Sequence, residues 1–496
     1  MRDRNRRWMN PILVIGLVTT TLLNGPRATG QTAADLGSPA SAGDLTPLNP
    51  DPKLLDVPTT KEQVTIDLSQ PITLKQALEL AQRNNRDVQV AELQLQQSQA
   101  ELREAKAALL PTVSAQAGLT RTDSASARIA NQLRRQAAED AGVMPPPPAS
   151  TVSNTFNTSV QATYDVFTSG QRSASIRAAE GAIRAAEDAL ETELQDLRLT
   201  VSNDYYDMQQ ADELVQIAQA AVGNAQKSLE DTKALERAGL GTKFDVLQAE
   251  VQLSDLQQQL TEALAQQEIA RRQLSETLSI KETATLSAAD PVAVAGTWPL
   301  TLEQSITLAL QNRSELAEIL EQRRIGQQNR RLIKGSFGPQ ASVSASASLA
   351  DDLSDSVSIQ PGYALGGQVT KLIFDGGATK ANAQQQALNV KIAETQFANF
   401  KNLIRFQVEQ NYFTLKSSLQ NIQTNEQAVV QATESLRLAR LRFTAGIGTQ
   451  LEVSNAETDL TQAQSNLLSA KIDYNQALAS LQRFVGTRLN RIEGTP

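Results

Sequence analysis

The chain repeats itself. TLKQALELAQRN, beginning at residue 73, returns as TLEQSITLALQN at residue 301, and Pro111 returns as Pro339, both at an offset of 228. Further along the offset becomes 207: Phe167 answers to Phe374, and RAGLGTKFDVLQAE (237–250) to TAGIGTQLEVSNAE (444–457). The shortfall of 21 residues falls between Pro111 and Phe167, where the first copy carries an extra stretch around RIANQLRRQAAEDAGVMPPPP. A duplication of this length divides the chain into two structural repeats, 64–290 and 291–487, the first enlarged by one loop.

Within each repeat the hydrophobic period switches. Thr73 with Gln76, and Thr301 with Gln304, have capping-box spacing two residues after a proline, and start a helix that ends near Pro111 or Pro339. Beyond each proline the period drops to two. Strands are expected near 111–122, 151–167, 339–350 and 363–374. Val113, Ala115, Ala117 and Leu119 share one face of the first, and Val152, Phe156, Val160, Ala162, Tyr164 and Val166 one face of the second. In the third, QASVSASASLA sets Ala341, Val343, Ala345, Ala347 and Leu349 against Ser342, Ser344, Ser346 and Ser348. Tyr363, Leu365, Val369 and Ile373 lie on one face of the fourth. Each run is close to the ~9 to 11 residues with which a tilted strand crosses a bilayer.

After each strand pair a heptad begins. Leu194, Val201, Met208, Val215, Val222 and Leu229 recur every seven positions, and Val408, Leu415, Ile422, Val429 and Leu436 repeat the line in the second copy. A helix over about 171–236 is roughly 100 Å long at ~1.5 Å per residue. Each has a partner. Val246, Leu253, Leu260 and Leu274 alternate with Ala249, Leu256, Ala263 and Ala270, and Val453, Leu460, Leu467, Tyr474 and Leu481 alternate with Ala456, Ala463, Ala470 and Ala477. Alanine along one line lets two helices approach closely.

Composition narrows the chemistry. The chain contains no Cys and no His, which removes thiolate and imidazole from any metal site, disulfide or nucleophilic triad. No enzyme, cofactor or metal is expected. Arg2, Arg4, Arg6 and Arg7 precede an apolar run from Ile12 to Leu23, and Ala28 and Gly30 follow with the spacing of a cleavage site, so 1–30 reads as a secretory signal peptide. Cleavage after Gly30 removes five basic residues and one acidic residue and takes the net charge from −8 to −12. So acidic a chain is not expected to bind nucleic acid. Residues 31–63, rich in Pro, Gly, Asp and Ser, read as a flexible leader, and 488–496 as a tail.

Four strands cannot close on themselves, and an open sheet edge in lipid leaves backbone groups without hydrogen bonds. Membrane strands therefore require several chains. Two chains give eight strands around a filled interior and three give twelve around a lumen, which suits the small Ser, Thr and Gly side chains of the inner face.

Together, the duplication, the two hairpins and the two AG(L/I)GT turns, each preceding an acidic helix start, resemble the TolC-like outer membrane efflux and secretion ducts over residues 64–487. The resemblance implies a mainly α protein in which long coiled-coil helices form a periplasmic α-barrel and four strands per chain contribute to a homotrimeric, twelve-stranded β-barrel in outer membrane lipid. The loops at 123–150 and 351–362 are then outside the cell. It also implies export of small molecules or proteins, with an inner membrane transporter coupled through a periplasmic adaptor. The adaptor would dock on the tips, Ala238, Gly239, Leu240, Gly241 and Thr242 in the first repeat and Ala445, Gly446, Ile447, Gly448 and Thr449 in the second.

From the residues themselves, the glycines let the chain reverse, while Thr242 with Asp245, and Thr449 with Glu452, have capping-box spacing. A phosphate loop is excluded by the missing G-x-x-x-x-G-K spacing. Similar ducts carry acidic residues after the second turn. Glu452 fills the first such position and Asn455 departs at the second, so a periplasmic constriction is expected at this pair. Opening is expected to shift the helices at 397–443 and 450–484 against the first repeat, with packing alone holding them closed. The alternatives are a secreted or periplasmic coiled-coil structural protein and a carboxylate-only glycosidase, for which no aromatic sugar platform is visible.

Overall fold

The computed structural model describes residues 48–49, 55, 57–66, 68–281, 283–353 and 359–486. The expected signal peptide, the tail and most of the leader lie outside the described residues. Leu48 is an exception to a flexible leader: it is fully buried beside Ile72, Leu80 and Leu278, and its carbonyl accepts from the Lys281 amide at 3.3 Å.

In chain order the elements of the first repeat are β1 (Leu68–Ile72), α1 (Leu74–Asn84), α2 (Arg86–Ala107), β2 (Thr112–Asp123), α3 (Ala125–Asp140), β3 (Val152–Phe167), α4 (Gln171–Arg237), α5 (Lys243–Thr277) and β4 (Ala284–Ala288). The second repeat has α6 (Leu302–Asn312), α7 (Ser314–Ser336), β5 (Gln340–Asp352), β6 (Gln360–Thr370), α8 (Ala378–Thr444) and α9 (Gln450–Val485). The starts of α6, α7 and β5 lie 228 residues after those of α1, α2 and β2, and those of α8 and α9 lie 207 after those of α4 and α5. The repeat is thus structural to the residue.

Four expectations need correction. The first helix of each repeat is two helices, broken at Asn85 and Arg313, whose ψ angles of 134° and 118° leave the helical region. The Asn85 side chain caps α2 by accepting from the Asp87 and Val88 amides. The insertion in the first repeat contains a 16-residue helix, α3, started by the Ser124 hydroxyl. The fourth strand runs over 360–370, so Ile373 and Phe374 lie outside it. Finally, β1 pairs in parallel with β4 in a two-stranded sheet that the period-two reading missed; five residues beside a helix cap carry too little alternation to register.

β2, β3, β5 and β6 form one antiparallel sheet in that order. Its register brings the alternating faces together: Val113, Ala162, Ala345 and Leu365 lie in one row across the sheet, and Ala115, Val160, Ala347 and Tyr363 in the next. The opposite face has Ser114, Gln161, Ser346 and Ala364 in one row and Gln116, Ser159, Ser348 and Gly362 in another. Tyr363, Leu365 and Val369 are 84%, 78% and 74% exposed, so among the described residues nothing covers this apolar edge. No described helix is long and apolar enough to cross a membrane.

The sheet passes into α4 through the left-handed pair Ser169 and Gly170, and into α8 through Gly376 and Gly377. Both helices have 67 residues. Val201, Met208, Val215 and Leu229 on α4, and Val408, Leu415, Ile422 and Leu436 on α8, are buried along the heptad lines. The close-approach alanines Ala249, Ala270, Ala456, Ala463, Ala470 and Ala477 are buried opposite them.

The repeats are tied together by ions. Glu315 at the start of α7 accepts from Arg313 at 2.7 Å and from Arg483 of α9 at 2.8 Å, and Arg483 reaches Asp196 of α4 at 2.6 Å. Both arginine side chains are 4% exposed. Burial pushes the Glu315 carboxyl upward, but the two guanidiniums outweigh it and hold it at about 2. A carboxyl held below its ordinary 4.5 adds stability that is complete above that value and disappears as the pH falls toward 2. Glu315→Ala leaves the buried Arg313 without a carboxylate and Arg483 with Asp196 alone, and is expected to cost about 3–5 kcal/mol. Thermal unfolding followed across pH checks this: the variant melts lower at neutral pH and loses less than the native chain between pH 4.5 and 2.

Candidate functional site

The two tips are built alike. α4 ends in a Schellman motif: with Gly239 at φ +73°, the Gly239 amide donates to Glu236 O and the Leu240 amide to Leu235 O, each at 2.9 Å. Gly446, at φ +74°, repeats the arrangement, its amide donating to Phe443 O and the Ile447 amide to Arg442 O. Ala238 and Ala445 are the last right-handed residues. Gly241 and Gly448 pass so close to the preceding helix that a Cβ would lie 3.2 Å from Glu236 N or 3.0 Å from Phe443 N. Leu240 and Ile447 project at the turns, 79% and 72% exposed.

The helix starts beyond the turns differ. Thr242 and Asp245 form a complete capping box, the Thr242 hydroxyl accepting from the Asp245 amide while the Asp245 carboxylate accepts from the Thr242 amide at 3.0 Å. Thr449 accepts from the Glu452 amide at 3.2 Å, but the Glu452 carboxylate does not return the bond. It lies 3.5 Å from Arg442 instead, so the expected second box is half formed. Asn455 is exposed one turn further on.

Polar bonds join the second tip to the first repeat. Gln450 is 3% exposed; its Nε2 donates to Ser228 Oγ at 2.9 Å and its Oε1 accepts from Thr232 at 3.1 Å, both on α4. Arg440 of α8 donates to Asn224 of α4 at 3.1 Å and to the buried Glu457 of α9 at 2.8 Å. Burial pushes the Glu457 carboxyl up and Arg440 opposes that shift. The tip is therefore held by directional bonds as well as packing, which corrects the expectation of packing alone.

The first tip carries a feature that the heptad reading passed over. Phe244, Leu247 and Val251 of α5 are 72%, 50% and 61% exposed, and their spacing puts them on one helix face adjoining Leu240. The signal was present as a second apolar stripe beside the Val246–Ala249–Leu253 seam. The second repeat has Leu451, Ser454 and Thr458 at the same positions.

The family model described as outer membrane efflux protein matches residues 77–279 and 305–487. The pyoverdine export outer membrane protein OpmQ of Pseudomonas aeruginosa is 24% identical over 418 residues, covering 83% of this chain and 85% of that protein. The outer membrane protein TolC of Vibrio cholerae is 24% identical over 330 residues, covering 63% of this chain and 73% of that one. Among solved structures, the outer membrane protein VceC of Vibrio cholerae superposes with a TM-score of 0.70 at 19% identity, covering 83% of this chain and 96% of VceC.

Gln450→Ala removes the two bonds this side chain makes to α4 and leaves the Ser228 and Thr232 hydroxyls in a buried site, a loss of about 1–3 kcal/mol confined to that region. Hydrogen exchange is the measurement. Amides of 225–237 and 445–455 are expected to exchange faster in the variant, while those of α1 and α6 keep their native rates.

Proposed function

Because the chain belongs to the outer membrane efflux protein family, we propose that three copies close into a continuous export duct, a β-barrel of twelve strands opening into a barrel of long helices. The protein resides in the outer membrane, with its helical part in the periplasm, and it is a channel rather than an enzyme. One observation supports closure above the others. A four-stranded sheet with an apolar outward face ends in two strands that have one neighbour each, and the same chain continues from that sheet into helices of 67 residues. In lipid those two edges need partners, and further copies of the chain supply them.

The serine-rich face then lines the lumen, where hydroxyls hold water without binding any solute strongly. The periplasmic ends of the helices form the closed end. An adaptor would dock at Ala238–Thr242 and Ala445–Thr449, and the exposed Leu240, Phe244, Leu247 and Val251 offer an amphipathic helix from such a partner an apolar track. An inner membrane transporter would supply the energy through that adaptor. Glu452 and Asn455 would narrow the lumen, each Glu452 accompanied by its Arg442, so the ring is nearly charge-compensated.

Single-channel recording in a planar bilayer tests this reading. Discrete currents are expected from a trimer extracted in detergent. Arg442→Gln should raise cation preference by exposing three carboxylates, and Glu452→Gln should shift it the other way. A detergent-independent, monomeric chain without currents would overturn the duct.

A further inference from the structure

The insertion that enlarges the first repeat joins β2 to β3 at the end of the sheet away from α4 and α8, and so lies outside the cell. Its height relative to lipid can be read from the strands. On the apolar face of β3 the run Phe156, Thr158, Val160, Ala162, Tyr164 and Val166 spans ten residue steps. That is about 33 Å along the strand at ~3.3 Å per residue, and about 25 Å of height at a tilt of ~40°, the thickness of a barrel's apolar band. Leu119 with Phe156 forms the outermost row of this band on β2 and β3. The next row is Arg121 with Asn154 and the one after it Asp123 with Val152, so the face turns charged at the height of the lipid headgroups.

α3 begins two residues beyond Asp123 and is fixed to that same face. Asp123 and Arg121 share the odd positions of β2 with Val113, Ala115, Ala117 and Leu119, and the Arg128 guanidinium of α3 pairs with the Asp123 carboxylate. A helix held there lies beside the mouth of the duct and not across it. Its back is occupied: Asn131 donates to the Ala149 carbonyl at 2.7 Å and accepts from the Ala149 amide at 3.1 Å, and Ala138 is buried. Half a turn round from Asn131 lie Ile129 and Leu133, four residues apart and 58% and 59% exposed. Arg134 flanks this pair on one side of the helix, and Arg128 and Arg135 flank it on the other. Arg121, Arg134 and Arg135 have no ionic partner among the described residues.

Resting on the membrane reading above, we infer that α3 is a lipid-docking helix: Ile129 and Leu133 enter the boundary of the acyl chains, and Arg121, Arg134 and Arg135 bind the phosphate groups of anionic lipid in the outer leaflet.

An apolar stripe with arginines on both flanks suits a helix lying in the plane of a membrane surface, where the long side chains reach from the apolar boundary to the headgroups. Charge complementarity names the occupant. Phosphate accepts from the planar fork of a guanidinium, and lipid phosphates are the negative charge that stands at this height beside a lipid-facing strand. The external turn of the second repeat, 351–362, contains Asp351, Asp352 and Asp355 and no Lys or Arg, so the positive charge at this rim comes from the insertion.

The chain has no cysteine, so one introduced thiol can be labelled alone. The full chain with a bimane label at Leu133→Cys is reconstituted into phosphatidylcholine vesicles with and without phosphatidylglycerol, each carrying a lipid with a quencher near the top of its acyl chain. Quenching at position 133 is expected to be at least several-fold stronger than for a label at Ala149→Cys, on the far side of the helix, and stronger again when phosphatidylglycerol is present. Arg134→Gln with Arg135→Gln should abolish the dependence on phosphatidylglycerol, and Arg134→Lys with Arg135→Lys should retain it. Equal quenching at 133 and 149, or quenching at 133 indifferent to phosphatidylglycerol, overturns the docking, and the membrane reading stands if a label at Leu365→Cys on the apolar face of the sheet is quenched. A double Gln variant that keeps the native quenching but dissociates into single chains at a lower temperature assigns the arginines to the acidic turn of a neighbouring copy, and also overturns the docking. A Leu365→Cys label that no lipid quencher reaches overturns the membrane reading together with the inference.

Discussion

Everything in this molecule follows from backbone hydrogen bonds that water cannot satisfy. A strand in lipid must have a neighbour on each side, since every orphaned amide or carbonyl there costs several kcal/mol. The chain satisfies this for β3 and β5 and leaves β2 and β6 with one strand neighbour each. Closure is thus required of the assembly and not of the chain, and duplication makes the requirement easy to meet.

The constraint reaches the helices through the connections. β3 and β6 each give way, after a few residues, to a left-handed pair at which the chain enters a helix, Ser169 and Gly170 in one repeat and Gly376 and Gly377 in the other. The two helices then run for equal lengths and end in the same Schellman turn, so the two hairpin tips of each chain form from equivalent positions. The lengths of α4 and α8 have no local cause beyond uninterrupted heptads and the absence of proline, and their equality reflects the repeat.

Long-period features were legible in the sequence. The helix read over 171–236 is observed at Gln171–Arg237, and the alternating faces of QASVSASASLA are those of β5. Both signals extend over many residues, so an error at any one position does not erase them. What escaped was short or side-chain-specific. A break at Asn85 or Arg313 interrupts a helical pattern without glycine or proline, and depends in the first case on a cap and in the second on a buried arginine. The β1–β4 pair joins five-residue segments more than 200 residues apart. The tip bonds of Gln450 and Arg440 connect residues from different repeats, and no periodicity encodes a partner at that separation. Thr449 and Glu452 have the right spacing for a box, but Arg442 competes successfully for the carboxylate.

The two repeats have diverged where symmetry would be a liability. A ring of identical hairpins has no reason to move one before another. Here the second hairpin is tied to α4 by Gln450, which bonds Ser228 and Thr232, and by Arg440, which donates to Asn224 while Glu457 of the same hairpin holds it, polar contacts whose strength depends on geometry and vanishes over a small displacement. The corresponding pair in the first hairpin, Lys233 with Glu250, is more exposed and correspondingly weak. The first hairpin has apolar contact surface at Phe244, Leu247 and Val251 where the second has Leu451, Ser454 and Thr458. Apolar attraction tolerates sliding, because it scales with area and has no direction. The second hairpin is therefore held in place by direction-dependent bonds to α4, whereas the first presents an apolar surface on which contact survives displacement.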